Sequence, residues 1–154
     1  MEWAERYELG VGRMDDTHRE FVDHYNALAA ATPERFFECF DAFYAHTVAH
    51  FDQEDRWMTA TNFPECHHAE HERVLAVMRE VRQRVEQGDA FLGRRLVEEL
   101  HPWFDQHVDT MDAALAYYLK EIGFDTETCS VPAGRKTACD SGHVEGGCGC
   151  ALSA

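Results

Sequence analysis

Four potential metal ligands are concentrated in one short stretch of the sequence. His50 and Glu54 are four residues apart, as are His67 and His71, and this spacing places each pair on one face of a helix, about one turn apart. Imidazole and carboxylate groups are ligands of transition metals, so each pair could supply half of a metal site. Residues 61–64 (TNFP) between the pairs are turn-like, which predicts two antiparallel helices whose ligand pairs face each other.

Three further candidate ligands lie on the apolar faces of other predicted helices: His18 near the start of the first, and His107 and Asp112 in the last. Together with the two pairs they make five imidazoles and two carboxylates, a set that suits two iron ions better than one four-coordinate structural zinc. His107 and Asp112 are five residues apart, about 140° round an ideal α-helix. Their convergence on one metal therefore requires either a long reach or a local π-type widening of the helix.

The apolar pattern predicts an all-α protein with four amphipathic helices, which short connections arrange as an up-down-up-down four-helix bundle. Asp15 or Asp16 is expected to cap the first helix, and Thr32 the second. Pro102 is expected to kink the last helix. In chain order, the helices are expected to cover about residues 15–29, 33–60, 65–87 and 90–122.

The chain of 154 residues suits one domain, which we expect to cover residues 1–122 and to include an N-terminal arm anchored by Trp3 and Tyr7. Beyond Gly123 the composition changes to Gly, Ser, Thr, Ala and Cys, which predicts a flexible tail over residues 123–154. The tail is interpreted first as a flexible segment with exposed thiols and second as a redox or metal-binding element, with candidates Cys129, Cys139, Cys148 and Cys150.

The charge balance excludes two classes of partner. A net charge of −15 argues against binding to nucleic acid or to an anionic membrane surface, because both require clustered Lys and Arg. The sequence contains no apolar run of about 18 residues that would indicate a membrane span. The first residues carry charge and lack the apolar core of a signal peptide, so we expect a cytoplasmic protein.

The candidate ligands stand in motifs that, taken in this order, resemble those of the hemerythrins, in particular the bacterial single-domain and hemerythrin-like proteins. The resemblance covers about residues 3–121. The matching segments are VG at residues 11–12 with DDTH at 15–18, HFDQE at 50–54 with Met58, HHAEH at 67–71, and WFDQHV at 103–108 with Asp112.

The resemblance implies a centre of two iron ions bridged by an oxo or hydroxo group and by the carboxylates of Glu54 and Asp112. It implies that three histidines bind one iron and two bind the other, and that the second iron keeps an open position for reversible binding of O2. The first set is His67, His71 and His107; the second is His18 and His50. The expected function is oxygen storage, delivery or sensing, with O2 and an electron-donor protein as partners of a monomer.

Apolar residues near these ligands are expected to form the O2 pocket: Phe51, Trp57, Trp103, Phe104 and Val108. This set contains no additional acid, base or substrate anchor, which favours a binding protein over an enzyme. The family usually has Leu at the position of Phe104 and Ile at that of Val108, so we expect a pocket of different shape. His68 is interpreted as a solvated neighbour of the ligand pair. Two alternatives are a diiron redox enzyme acting on NO or peroxide, and an iron or redox sensor whose output is the cysteine tail.

Overall fold

The computed structural model describes residues 1–131 and confirms the predicted all-α, up-down-up-down four-helix bundle. Within these residues there is no β-strand, only an isolated antiparallel bridge between Asp125 and Ser130. The helices are α1 (Gly12–Ala29), α2 (Phe36–Thr61), α3 (Cys66–Glu86), α4 (Ala90–His107) and α5 (Ala113–Ile122). A five-residue π-helix, Val108–Asp112, joins α4 to α5, so these three segments form the fourth helix of the bundle. None of the described helices is long and apolar enough to cross a membrane.

The starts of the first two helices differ from the sequence-based expectation. α1 begins at Gly12 with Val11 as its N-cap, so Asp15 and Asp16 do not cap it. Asp15 lies inside the first turn and accepts hydrogen bonds from the backbone N–H groups of the preceding arm, at Leu9 (2.7 Å) and Gly10 (3.1 Å). Asp15 therefore stabilises the entry of the chain into α1 from within the helix.

The predicted capping role of Thr32 is also wrong. Residues 33–35 form a turn, in which Arg35 N–H donates to the carbonyl of Thr32 (3.0 Å), and α2 starts only at Phe36. Arg35 occupies the N-cap position without a capping side chain. At the other end of α2, Asn62 adopts the left-handed conformation (φ 53°), which ends the helix and turns the chain into α3 within a few residues.

The core consists of two apolar clusters that are separated along the helices by the candidate ligands. The first cluster includes Phe21, Phe43 and Phe104, and the second includes Met14, Trp57 and Leu115. On α1, for example, His18 falls between Met14 of the second cluster and Phe21 of the first. The ligands therefore form a polar layer with a large apolar cluster on each side, which shields it from water.

The N-terminal arm lies against the bundle, as expected. A short 3₁₀-helix at Glu5–Tyr7 buries the Tyr7 side chain in the first cluster, and the Trp3 ring packs edge-on against it, with 5.5 Å between ring centroids. Lys120 of α5 donates from Nζ to the carbonyl of Leu9 (2.7 Å) and fastens the end of the arm.

The first residues after α5 contact the bundle too. Phe124 packs against the second cluster, and the indole Nε1–H of Trp57 donates to the carbonyl of Thr126 (3.3 Å). Cys129 is exposed and adopts a positive φ of 51°. The other three cysteines assigned to the tail, Cys139, Cys148 and Cys150, lie outside the described residues.

Candidate metal centre

All seven candidate ligands converge in the centre of the bundle, and the side chain of each is almost completely buried, with at most 3% of the residue exposed. They come from every helix of the bundle. Two groups of ligand atoms can be distinguished within which all atoms lie within 4.8 Å of one another, and Glu54 belongs to both. The larger group contains Glu54, His67, His71, His107 and Asp112; the smaller contains His18, His50 and Glu54.

The π-helix brings Asp112 to the centre. The spacing of His107 and Asp112 required either a long reach or a local widening of the helix, and the structure shows the widening. A π-turn bonds residue i to residue i+5, so two residues that are five apart lie on the same face of the helix. The result is a distance of 3.1 Å between His107 Nε2 and Asp112 Oδ1. Pro102 lies within α4, before the π-helix, and α4 continues past Pro102 to His107.

Each carboxylate divides its two oxygens between the two groups. Glu54 Oε1 lies 3.1 Å from His50 Nε2, whereas Oε2 lies 3.6 Å from His67 Nε2 and 3.5 Å from His71 Nε2. Asp112 Oδ2 lies 3.2 Å from His18 Nε2, and Oδ1 lies 3.1 Å from the Nε2 atoms of His67 and His107. Each carboxylate therefore faces both groups of histidines.

Two of the imidazoles are oriented by hydrogen bonds on their outer side. His18 Nδ1 lies 2.8 Å from the carbonyl oxygen of Tyr7, and His71 Nδ1 lies 2.9 Å from Asp55 Oδ1. Since a carbonyl or carboxylate oxygen can only accept, Nδ1 carries the proton in both rings, and Nε2 of the neutral ring directs its lone pair at the centre. This is the arrangement by which metal-binding histidines are usually fixed.

Neither partner of these imidazoles was predicted from the sequence. Asp55 directly follows Glu54, and a rotation of about 100° per residue carries it from the inward face toward α3. The sequence could therefore have indicated that Asp55 lies on the face of α2 toward α3, although its contact with His71 depends on how α2 and α3 pack. The partner of His18 is a backbone carbonyl, for which no residue type provides a signal.

Several inward atoms have no hydrogen bond that satisfies them among the described residues, including His18 Nε2, Glu54 Oε2 and both carboxylate oxygens of Asp112. The Nε2 atoms of His67 and His71 lie 3.2 Å and 3.3 Å from that of His107, so three ligand nitrogens converge on one point. A buried polar atom without a partner costs about 1–3 kcal/mol. Cations bound between these atoms would satisfy all of them, so the donor set fits a metal centre.

The two carboxylates are held as anions. Burial and the nearby Asp112 raise the pKa of Glu54, but the histidines around it, His50 and His71, outweigh them and leave that pKa at about 2. Burial also raises the pKa of Asp112, and His107, His18 and His67 hold it well below its usual range. The centre therefore presents two negative charges to a cation in a site that excludes water.

Burial alone lowers the pKa of the His71 imidazole, but the carboxylates of Asp55 and Glu54 raise it by more, to about 9. A cation that binds at His71 Nε2 must therefore displace a proton near neutral pH.

Four of the five residues predicted for the pocket lie on one side of the ligand layer. Phe51 stacks on His71 with 3.9 Å between ring centroids, Trp103 stacks on His107 at 4.7 Å, and the Phe104 ring lies 5.7 Å from that of His18. Val108 is fully buried in the same cluster as Phe51 and Phe104. Trp57 is not brought together with them, because it packs on the opposite side, in the second cluster.

His68 is half-exposed, and its Nδ1 lies 2.9 Å from Asp55 Oδ2. It thus has a solvated edge, and it also contacts Asp55, whose other oxygen is hydrogen-bonded to the candidate ligand His71.

Comparison with known proteins agrees with this geometry. Residues 9–119 match the family described as the Hemerythrin HHE cation binding domain. The chain is 46% identical over 127 residues to a bacteriohemerythrin of Ralstonia nicotianae, an alignment that covers 81% of this chain and 93% of that protein. It is 26% identical over 113 residues to a hemerythrin subunit of Sipunculus nudus, covering 71% of this chain and 86% of that protein. No solved structure matches the chain. The chain belongs to the hemerythrin family.

Proposed function

We propose that this protein binds O2 reversibly at a centre of two iron ions. The observation that carries the proposal is the division of the two buried carboxylates between two groups of histidines, at distances of 3.1–3.6 Å. Glu54 and Asp112 would bridge the ions. His67, His71 and His107 would complete one ion, while His18 and His50 would hold the other.

The two ions would receive unequal numbers of ligands from the chain. The first would have three imidazoles and two carboxylate oxygens, and the second two imidazoles and two carboxylate oxygens. The second ion would therefore have one protein ligand fewer and would keep a position for a small molecule. The iron pair would supply that open position and the two electrons that reversible binding of O2 requires.

The side chains around His18 and His50 favour binding over turnover. Phe104 lies edge-on to His18 with 5.7 Å between ring centroids, and Phe21, stacked on Phe104 at 4.1 Å, lies 6.3 Å from the His50 ring. Val108 adds a fully buried aliphatic wall. These groups exclude water and provide no proton donor of their own, which would slow the loss of bound oxygen as peroxide.

Membership of the hemerythrin family supports the same function, because one relative is named a bacteriohemerythrin and the other a subunit of a hemerythrin. A diiron enzyme acting on NO or peroxide is the alternative that the experiment must separate from a carrier. We propose the carrier because the described pocket wall is formed by apolar side chains.

The test uses the full-length protein loaded anaerobically with ferrous iron. Air is added, the charge-transfer absorption is followed, and the sample is then degassed. A carrier is expected to develop a band with air that disappears on degassing through many cycles. Irreversible oxidation in the first cycle, with consumption of added peroxide or NO, would contradict reversible binding and support the enzyme. Purified protein that retains far less than about two irons per chain would contradict the diiron centre itself.

A further inference from the structure

We propose that Asp55 is a positioning residue for the metal centre, which holds His71 with Nε2 facing the metal and strengthens it as a ligand. The inference rests on the proposed diiron function. Asp55 belongs to α2 and is not itself a ligand. Its Oδ1 accepts the Nδ1–H of His71 on α3 at 2.9 Å, and its Oδ2 lies 2.9 Å from Nδ1 of His68.

Asp55 distinguishes His71 from the other four histidines of the centre. His18 is held on its outer side by a neutral carbonyl, that of Tyr7. The Nδ1 atoms of His50, His67 and His107 have no hydrogen-bond partner in residues 1–131. Among the described ligands, His71 is thus the imidazole oriented by an anion, and a carboxylate partner increases the electron density at the opposite ring nitrogen.

The hydrogen bond to Asp55 selects between two orientations of the His71 ring that packing alone does not distinguish. Phe51 stacks on that ring at 3.9 Å with an angle of only 4° between the planes, which fixes the plane of the imidazole. A half-turn of the ring about its bond to Cβ would keep this stacking and would exchange the nitrogen for a carbon on the outer side. The hydrogen bond to Asp55 selects the orientation in which Nδ1 faces outward and Nε2 faces the centre.

His68 contacts the carboxylate of Asp55 from the solvent side. Because it is half-exposed, it can hold Oδ2 without being part of the buried layer. The hydrogen bond with His71 and the close contact with His68 together engage both oxygens of Asp55, which opposes rotation of the carboxylate away from His71. The consequence is specific: Asp55 acts on the iron bound by His67, His71 and His107, and should have little influence on the iron bound by His18 and His50.

The test measures how fast the iron-loaded, full-length protein releases ferrous iron to an excess of a coloured chelator under anaerobic conditions. Wild-type protein is compared with Asp55→Ala and Asp55→Asn. Asp52→Ala is the matched control, because Asp52 is an exposed carboxylate on the same helix. We expect Asp55→Ala to release one of its two irons ~10–100-fold faster than wild type, and Asp52→Ala to behave as wild type. Asp55→Asn retains an oxygen that can accept from His71, so its release should be intermediate.

A second readout separates positioning from a general effect on folding. Nitrogen NMR of the metal-free protein, recorded at a pH high enough for the His71 ring to be neutral, reports which ring nitrogen carries the proton, and Asp55→Ala should convert His71 from a single form protonated at Nδ1 to a mixture. Helical content by circular dichroism should be unchanged in all variants. Wild-type release rates in Asp55→Ala, or equal rates in Asp55→Ala and Asp55→Asn, would overturn the inference while leaving the diiron centre intact. Failure of the proposed function would be visible separately, as the absence of about two irons in the wild-type protein.

Discussion

Removal of the metal should lower the stability of this protein substantially. Without a cation, the Nε2 atom of His107 lies 3.2 Å and 3.3 Å from those of His67 and His71, and two fully buried carboxylates lie close by. These groups cannot all be satisfied by one another, because His18 Nε2, Glu54 Oε2 and both carboxylate oxygens of Asp112 have no hydrogen-bond partner among the described residues. Bound metal removes this conflict in the folded state and has no comparable site in the unfolded chain.

The size of the effect follows from the affinity of the two sites. A ligand that binds only the folded state at a free concentration of 100 times its dissociation constant stabilises it by ~2.7 kcal/mol, so two such sites contribute ~5 kcal/mol. In a protein of this size, 1 kcal/mol changes the melting temperature by ~2–4 °C. The iron-loaded protein should therefore melt ~10–20 °C above the metal-free protein.

The assay is thermal unfolding followed by far-ultraviolet circular dichroism, under anaerobic conditions, with and without ferrous iron. Magnesium is the control ion, because it prefers oxygen ligands and this donor set is rich in imidazole. Glu54→Gln is the control variant: it keeps the size of the side chain but removes the charge and one possible bridge, so its gain from iron should be less than half that of wild type. Equal melting temperatures of the wild-type protein with and without iron would refute the metal assignment.

Three further predictions concern individual residues. Asp112→Ala should keep its helical content but lose iron, because the proposed bridge from the π-helix is removed, and full iron loading by chemical analysis would contradict that role. Phe104→Leu should change the rate of autoxidation without changing iron content, since the Phe104 ring lies against His18; an unchanged rate would place it outside the O2 pocket. Burial lowers the pKa of His71, but Asp55 and Glu54 raise it by more, from 6.5 to about 9. The protonated His71 ring therefore stabilises the folded metal-free protein fully below about pH 6.5, and this stabilisation is lost as the pH rises through about 9. The difference in melting temperature between iron-loaded and metal-free protein should therefore be larger at high pH than near pH 6.5, and a difference that shrinks with rising pH would contradict this.

The fold was predictable because the apolar positions recur with helical period, and the ligands occupy the same faces as those positions. His50 with Glu54, and His67 with His71, are each related by one helical turn, a purely local regularity. Burial then fixes the direction in which they point, since an amphipathic helix directs its apolar face to the core. Local regularity and burial together therefore bring all four side chains to the bundle axis.

What could not be predicted depends on contacts between helices. Trp57 follows Glu54 closely in α2, and a helical period alone does not say on which side of the ligand layer the indole packs. Asp55 is outward by periodicity, and its role arises only because α3 presents His71 and His68 to it. The start of α1 was misplaced because Asp15 resembles a cap in sequence, whereas the chain before it folds back onto its carboxylate.

The π-helix connects the N-terminal arm to the metal centre. A π-turn is rare and persists only where tertiary contacts favour it. Here the 3₁₀-helix of the arm packs on it, and Arg6 contacts both Asp105 just before it (2.5 Å) and Asp109 within it (3.5 Å). The carbonyl of the adjacent Tyr7 orients His18. One short segment of the arm thus supports a histidine of the smaller ligand group and also the π-turn that brings Asp112 to the centre. We therefore expect changes in the arm to affect iron binding, although the arm contributes none of the seven candidate ligands.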